Sequence, residues 1–345
     1  MRYVTTRVKE DTFSPLDALG QSRGPEGGFF LPEKLPVFSE TEIKALSEKS
    51  FSQACAEIVN VLFDTSLDSW AIAFAIGRYP VKLISVGNRT MIAETWHNPA
   101  WRFERLARGI EKAIRQSDQI CQIPTPWLMT GSRIAVLFGI FSQLLGMGSV
   151  TTDAPIDVVV PVEDFSGAMA CRYARQMGLP IHNILCCCNE NAGAWNLIHK
   201  GEIRTEASLI RTQTPLCDNT VPELLEGLIF ETLGMAKSLA FAEVCRRGGN
   251  FYLDPHELTL LRKGLFATVV SGSQMEHAVA ALWTGSGYLA DPYTALCVGG
   301  IGPYRSKSGE SRMALVLSGE SPRHHMNFLA RCLGTTAEEL KKAID

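Results

Sequence analysis

Asp157-Val158-Val159-Val160-Pro161-Val162 leads into Glu163-Asp164-Phe165-Ser166-Gly167, and Ile184-Leu185-Cys186-Cys187-Cys188 leads into Asn189-Glu190-Asn191. Each begins as a short apolar run, β-branched in the first case, that ends on polar residues, the pattern of a strand buried on both faces. Between them, Ala168 to Met177 reads as a helix closed by Gly178-Leu179-Pro180. Strand, helix and strand in about 30 residues make a βαβ unit, so the fold class is α/β with a largely parallel sheet flanked by helices. Ligands of such sheets gather at the carboxyl ends of the strands. Here those ends are Glu163 to Gly167 and Asn189 to Asn191.

Outward from this unit, Lys82 to Val86 and Met91 to Ala93 flank the turn Gly87-Asn88-Arg89 and read as a hairpin. Phe103 to Arg115 reads as a helix with Leu106, Ile110, Ala113 and Ile114 on one face. Pro124-Thr125-Pro126 breaks the chain before an apolar helix that the pattern starts near Ser132. The run Ile134 to Leu145 is too short to span a bilayer and reads as a buried helix. Ser39 with Glu42 forms a capping box, Ser52 to Phe63 carries apolar residues at helical spacing, and Asp254 caps a further helix. His324 and His325 are adjacent, so on a helix they point about 100° apart and share no metal. No internal repeat is visible.

The chain has 345 residues, 46% hydrophobic and 20% charged, enough for a soluble fold with an ample core. Lys+Arg 33 against Asp+Glu 36 gives net charge −3, which argues against a nucleic-acid partner. Met1 to Arg7 lacks the apolar core of a signal peptide. The ten cysteines contain no C-x-x-C pair and are expected to be buried, reduced thiols. Together these features imply a cytoplasmic protein with no membrane or metal role.

Trp96-His97-Asn98-Pro99-Ala100-Trp101-Arg102-Phe103-Glu104-Arg105 resembles the cofactor-anchoring segment of threonine synthases, roughly H-G-P-T-x-A-F-K-D. His97, Pro99 and Phe103 match; the lysine that holds pyridoxal phosphate (PLP) falls on Glu104, and the next aspartate on Arg105. Other segments resemble the same family in the same order. Met1 to Arg7 is similar to M-x-Y-x-S-T-R, and Gly24 to Pro36 to D-G-G-L-x-x-P-x-x-x-P. Asp157 to Asn191 is similar to the V-P-T-G-N-F-G, helix, A-T-N-E-N succession, and Gly287 to Ala295 to G-Y-L-x-D-P-H-T-A. The resemblance implies a fold type II PLP-enzyme-like architecture. It divides the chain into an N-terminal region, 1–95, and a main α/β domain, 96–345, with a truncated insertion at about 102–132.

The departures fall where the chemistry would be. The family's phosphate-cradling G-N-F-G falls on Glu163-Asp164-Phe165-Ser166, where two carboxylates would repel a phosphate. Its A-T-A-H-P falls on Ser318-Gly319-Glu320-Ser321-Pro322, its DPHTA histidine is Tyr293, and its N-S-x-N-x-x-R keeps the arginine as Arg133. Only 31 residues lie between Trp101 and Arg133, where the family carries an extra α/β lobe with an S-G-D-T-G loop, so that lobe is expected to be mostly deleted. Lys112 lies about 12 Å beyond Glu104 along the helix and is no substitute.

The candidate residues are therefore Glu104 and His97 for chemistry, and Arg133, Glu163, Asp164, Ser166, Gly167, Asn189 and Tyr293 for a residual cleft. His97 can bind a ligand or hold its turn by a hydrogen bond. The carboxylates of Glu104, Glu163 and Asp164 can converge on a cation or pair with Arg105 or Arg133. Arg133 is expected to face a carboxylate. The resemblance with these losses implies a pseudoenzyme without PLP, a binding or interaction protein that pairs with itself or another chain. The alternatives are altered, non-PLP chemistry in the cleft, or a genuine threonine synthase acting on O-phosphohomoserine.

Overall fold

The computed structural model describes residues 1–8, 11–76, 80–96, 103–116, 123–309 and 311–344; the side-chain surroundings of 76, 103–106 and 318 are outside that description. The central sheet has six strands: β3 (Lys82–Ser85), β4 (Thr90–Glu94), β5 (Ile156–Pro161), β6 (Ile181–Cys188), β9 (Leu265–Val269) and β10 (Ala314–Ser318). Their order is β3-β4-β10-β5-β6-β9. Only β3 runs antiparallel to its neighbour, as the hairpin around Gly87 requires; the other pairings are parallel. The sheet is thus largely parallel, with helices packed against it. Two small antiparallel pairs lie outside it: β1 (Tyr3–Thr5) with β2 (Phe30–Pro32), and β7 (Glu202–Arg204) with β8 (Asn250–Tyr252).

The βαβ unit forms as its residues dictate. Val158, Val159 and Val160 are buried on both faces of β5, and Cys186, Cys187 and Cys188 likewise in β6. Val160 is in register with Cys186. Burial pushes the Cys188 thiol up to about 12, so it behaves as a small apolar residue. Cys245 is exposed, contrary to the expectation that the thiols are buried.

Helix Pro126–Gly146 is the axis of the largest core cluster. It starts six residues earlier than the sequence pattern suggests. The Thr125 hydroxyl accepts from the Leu128 amide at 3.2 Å, and Pro126 occupies the first turn, where its missing N–H costs nothing. The proline read as a break is therefore the start of the helix, and Arg133 lies about two turns inside it rather than at its start. At 21 residues the helix is long and apolar enough to cross a membrane, so the length argument fails; 78% of its apolar window is buried inside the protein.

It packs against helix Phe51–Phe63 on one side and helix Ser166–Gln176 on the other. Gly139 allows the first approach: a Cβ there would lie 2.5 Å from the Phe51 ring and 2.7 Å from Cys55 Sγ. Trp127, at its first turn, meets Tyr3 edge-on at 5.1 Å and Tyr173 at 6.0 Å. These contacts seat β1 on the core.

The described residues of 102–132 form helix Phe103–Arg115 and the first turns of Pro126–Gly146, with no strand among them. The expected capping boxes at Ser39 and Asp254 are both present.

Candidate functional site

Parallel strands bring their carboxyl ends to one edge of the sheet. At that edge Thr95 follows β4, Gly319 and Glu320 follow β10, and Glu163 and Asp164 follow β5. Helix Pro126–Gly146 lies across them and contributes Met129, Arg133, Val136, Leu137 and Ile140. Together they enclose a cavity of about 300 Å³, also lined by Val160, Gly167, Leu216 and Leu317.

The polar end is organised by three carboxylates, each with a partner. Arg133 Nη2 donates to Glu163 Oε2 at 2.7 Å. Burial raises the Glu163 carboxyl above its ordinary range, against the pull of Arg133. Burial also works against the Arg133 charge, but Glu163 and Asp164 outweigh it and hold the guanidinium above its ordinary value. Asp164 Oδ1 accepts from the Ser166 amide at 2.9 Å and from the Ser166 hydroxyl at 2.5 Å. The turn that permits this places Phe165 at φ 77, a left-handed conformation held by the burial of its ring. Glu320 Oε2 lies 2.6 Å from His325 Nε2.

Of the residues singled out in the sequence, the fold brings Arg133, Glu163, Asp164 and Gly167 together around this cavity. Arg133 meets a carboxylate as expected. Ser166 stands just outside, bound to Asp164. Tyr293 lies beside the cavity: its hydroxyl accepts from the amide of Leu216 at 3.3 Å, and its ring meets His325 at 6.3 Å. The Tyr293 and Thr294 amides are capped by Asp291.

Asn189 does not line the cavity. It is fully buried and its amide bonds Thr212, Thr214 and Asp218 at 2.8–3.0 Å, fastening the loop after β7. An asparagine at a strand end supplies both donor and acceptor to an irregular loop, which explains its place without a ligand. His97 lies outside the described residues. Glu104 falls in helix Phe103–Arg115, but its side chain is outside the description. The Glu320–His325 pair and the face of Met129, Val136 and Ile140 were not readable as site residues. Five residues of separation between Glu320 and His325 carry no signal, and the helical face is an ordinary core pattern.

Residues 2–76 match the family model described as Threonine synthase N terminus. A PLP-bound threonine synthase from Brucella melitensis superposes with TM-score 0.84, covering 97% of this chain and 92% of that one. Threonine synthase from yeast gives 0.83, covering 96% and 90%. The chain thus resembles the threonine synthases in its N-terminal sequence and in its fold. At 17% and 16% identity these two structures speak for fold alone. Among curated threonine synthase relatives, human Threonine synthase-like 1 is 26% identical over 161 residues, which is 45% of this chain and 21% of that protein. Threonine synthase of Pseudomonas aeruginosa is 28% identical over 144 residues, 40% of this chain and 30% of that protein. The match thus spans about a fifth of the length of the threonine synthase-like 1 relatives.

Proposed function

We propose that this chain is a threonine-synthase-like protein that performs no PLP catalysis and acts by binding. The carrying observation is the state of the phosphate position. Asp164 Oδ1 takes the Ser166 amide at the start of helix Ser166–Gln176, the kind of N–H that a phosphate would use. Glu163 and Glu320 add two more carboxylates to the same cavity, and no lysine is among the described residues that line it. A phosphate-bearing aldehyde needs positive compensation and an amine to condense with. These residues do not fit it. The sequence substitution at Glu104 points the same way, because a carboxylate forms no imine.

The test is spectroscopic. Purified protein incubated with PLP is expected to show no internal-aldimine absorbance and no borohydride-trapped cofactor by mass spectrometry. Stoichiometric trapping would refute the reading and favour a genuine threonine synthase.

A second reading, altered chemistry in the cleft, is favoured by one observation: Glu320 orients His325 at 2.6 Å beside a cavity, an arrangement suited to proton transfer. Turnover of any amine or amino acid that disappears in His325→Gln would establish it. The same binding proposal extends to assembly, as a homo-oligomer or with another chain, in the cytoplasm. Light scattering at low concentration that finds a monomer, together with no co-purifying partner, would end the assembly part.

A further inference from the structure

The cavity has a chemical polarity that the family resemblance does not supply. Glu163, Asp164 and Glu320 enter it from the strand ends; Val136 and Ile140 line it about one and two turns along the helix from Arg133, with Leu317 on β10. Among the described lining residues Arg133 is the one cation, and its Nη2 is committed to Glu163. The lining therefore holds an excess of negative charge against an apolar wall. We infer that this cavity takes a small ligand with an ammonium head and an apolar tail. The inference rests on the binding reading above and names the ligand class for that site.

Competing occupants fit less well. An anion would meet three carboxylates. A metal ion needs converging ligands, and the described residues contain no group of three His, Cys, Asp or Glu side chains placed to hold one. A purely apolar molecule would exclude water from the carboxylates and return no hydrogen bond. A free amino acid brings the ammonium but also a fourth carboxylate beside the three of the lining. A decarboxylated amine avoids that repulsion. At about 300 Å³ the cavity is at the lower edge of ligand pockets, which limits the tail to a short chain.

Gly319 provides a way to close the cavity without disturbing the fold. It lines the space, its backbone is outside the left-handed region, and the nearest atom to an added Cβ is Glu163 Oε1 at 3.9 Å. A side chain at 319 therefore grows into the cavity and not into backbone.

The experiment is calorimetric titration of the full chain at pH 7 with n-pentylamine, pentanol, hexanoate and norleucine, the last being pentylamine with a carboxylate added. Pentylamine is expected to bind, and pentanol about tenfold more weakly or worse, because a charge-assisted hydrogen bond is lost. Hexanoate and norleucine are expected not to bind. Glu320→Gln should weaken pentylamine by about tenfold. Gly319→Leu should abolish binding while the melting temperature is retained, which separates blockage from misfolding. Equal binding of pentanol, any preference for hexanoate or norleucine, or undiminished pentylamine binding by Gly319→Leu would overturn the inference. Absence of pentylamine binding in a protein that traps no PLP refutes the ligand class while the non-catalytic reading stands. Trapped PLP refutes both.

Discussion

Arg7 and Glu226, 219 residues apart in sequence, form a two-point ion pair: Nε donates to Oε1 at 3.0 Å and Nη2 to Oε2 at 2.7 Å. The Thr6 hydroxyl donates to the same Oε1. Glu226 is buried in helix Leu225–Leu233, so the N-terminal segment is fastened to the middle of the chain by a desolvated carboxylate with three donors. The Thr-Arg at the end of the opening motif has this structural duty.

Glu226→Gln keeps the shape and removes the charge. It is expected to cost about 1–3 kcal/mol of stability. Arg7→Lys should cost a similar amount, because a point charge cannot reproduce the planar fork. Urea unfolding curves for both variants measure this; unchanged midpoints would show that the segment is held by other contacts.

Burial raises the carboxyl of Glu231 above its ordinary range, with Arg172 Nε 3.4 Å away opposing it. A carboxyl that holds its proton more tightly folded than unfolded stabilises the fold fully below its unfolded pKa. That contribution is lost as pH rises through the folded value. Glu231→Gln stays neutral throughout, so its stability relative to wild type should improve as pH rises from about 4 to 7. Urea midpoints at both ends of this range are the check, and a variant-minus-wild-type difference that stays constant or falls contradicts it.

Gly139→Ala places a methyl group 2.5 Å from the Phe51 ring, inside the contact between helices Phe51–Phe63 and Pro126–Gly146. The expected loss is about 1–3 kcal/mol despite alanine's better helix propensity. Gly285→Ala, on helix Gly272–Ser286, meets nothing within 4 Å and serves as the control expected to hold or gain stability. Thermal melts that rank the two variants the other way would refute the close-packing account.

Restoring one group should not restore the cofactor. Glu104→Lys alone is expected to trap no PLP with borohydride, because the Asp164 carboxylate still occupies the Ser166 amide and Glu163 still lines the cavity. Mass spectrometry of the reduced variant decides it; a pyridoxyl adduct at Lys in that position would mean that the anchor was the sole loss.

The βαβ unit was legible because Val158 to Val160 and Cys186 to Cys188 are apolar on both faces, and Gly178 and Pro180 mark the helix end between them. β9 and β10 were not. Leu265–Val269 and Ala314–Ser318 are five-residue apolar runs, too short for periodicity to separate strand from helix or loop. Around the cavity, Glu163 and Asp164 stood out because they follow the carboxyl end of a buried strand and fall on the phosphate-cradling position of the resemblance. Glu320 follows the strand that was missed; the resemblance set it among the departures, but nothing in its neighbours announced its arrival beside Glu163. Arg133 was legible as the partner of a carboxylate, but its place inside a helix was hidden by Pro126, which can break a helix or begin one.

β10 lies between β4 and β5 and pairs with both, Val316 facing Ile92 on one side and Val159 on the other. It follows β5 by well over a hundred residues and sits inside the sheet, so during synthesis the two halves stay unjoined until that stretch has been delivered. Until then β4 and β5 each present an unpaired apolar edge to the cell. A stop or frameshift ahead of Ala314 would thus leave an aggregation-prone product with two half-sheets, not a slightly shorter protein.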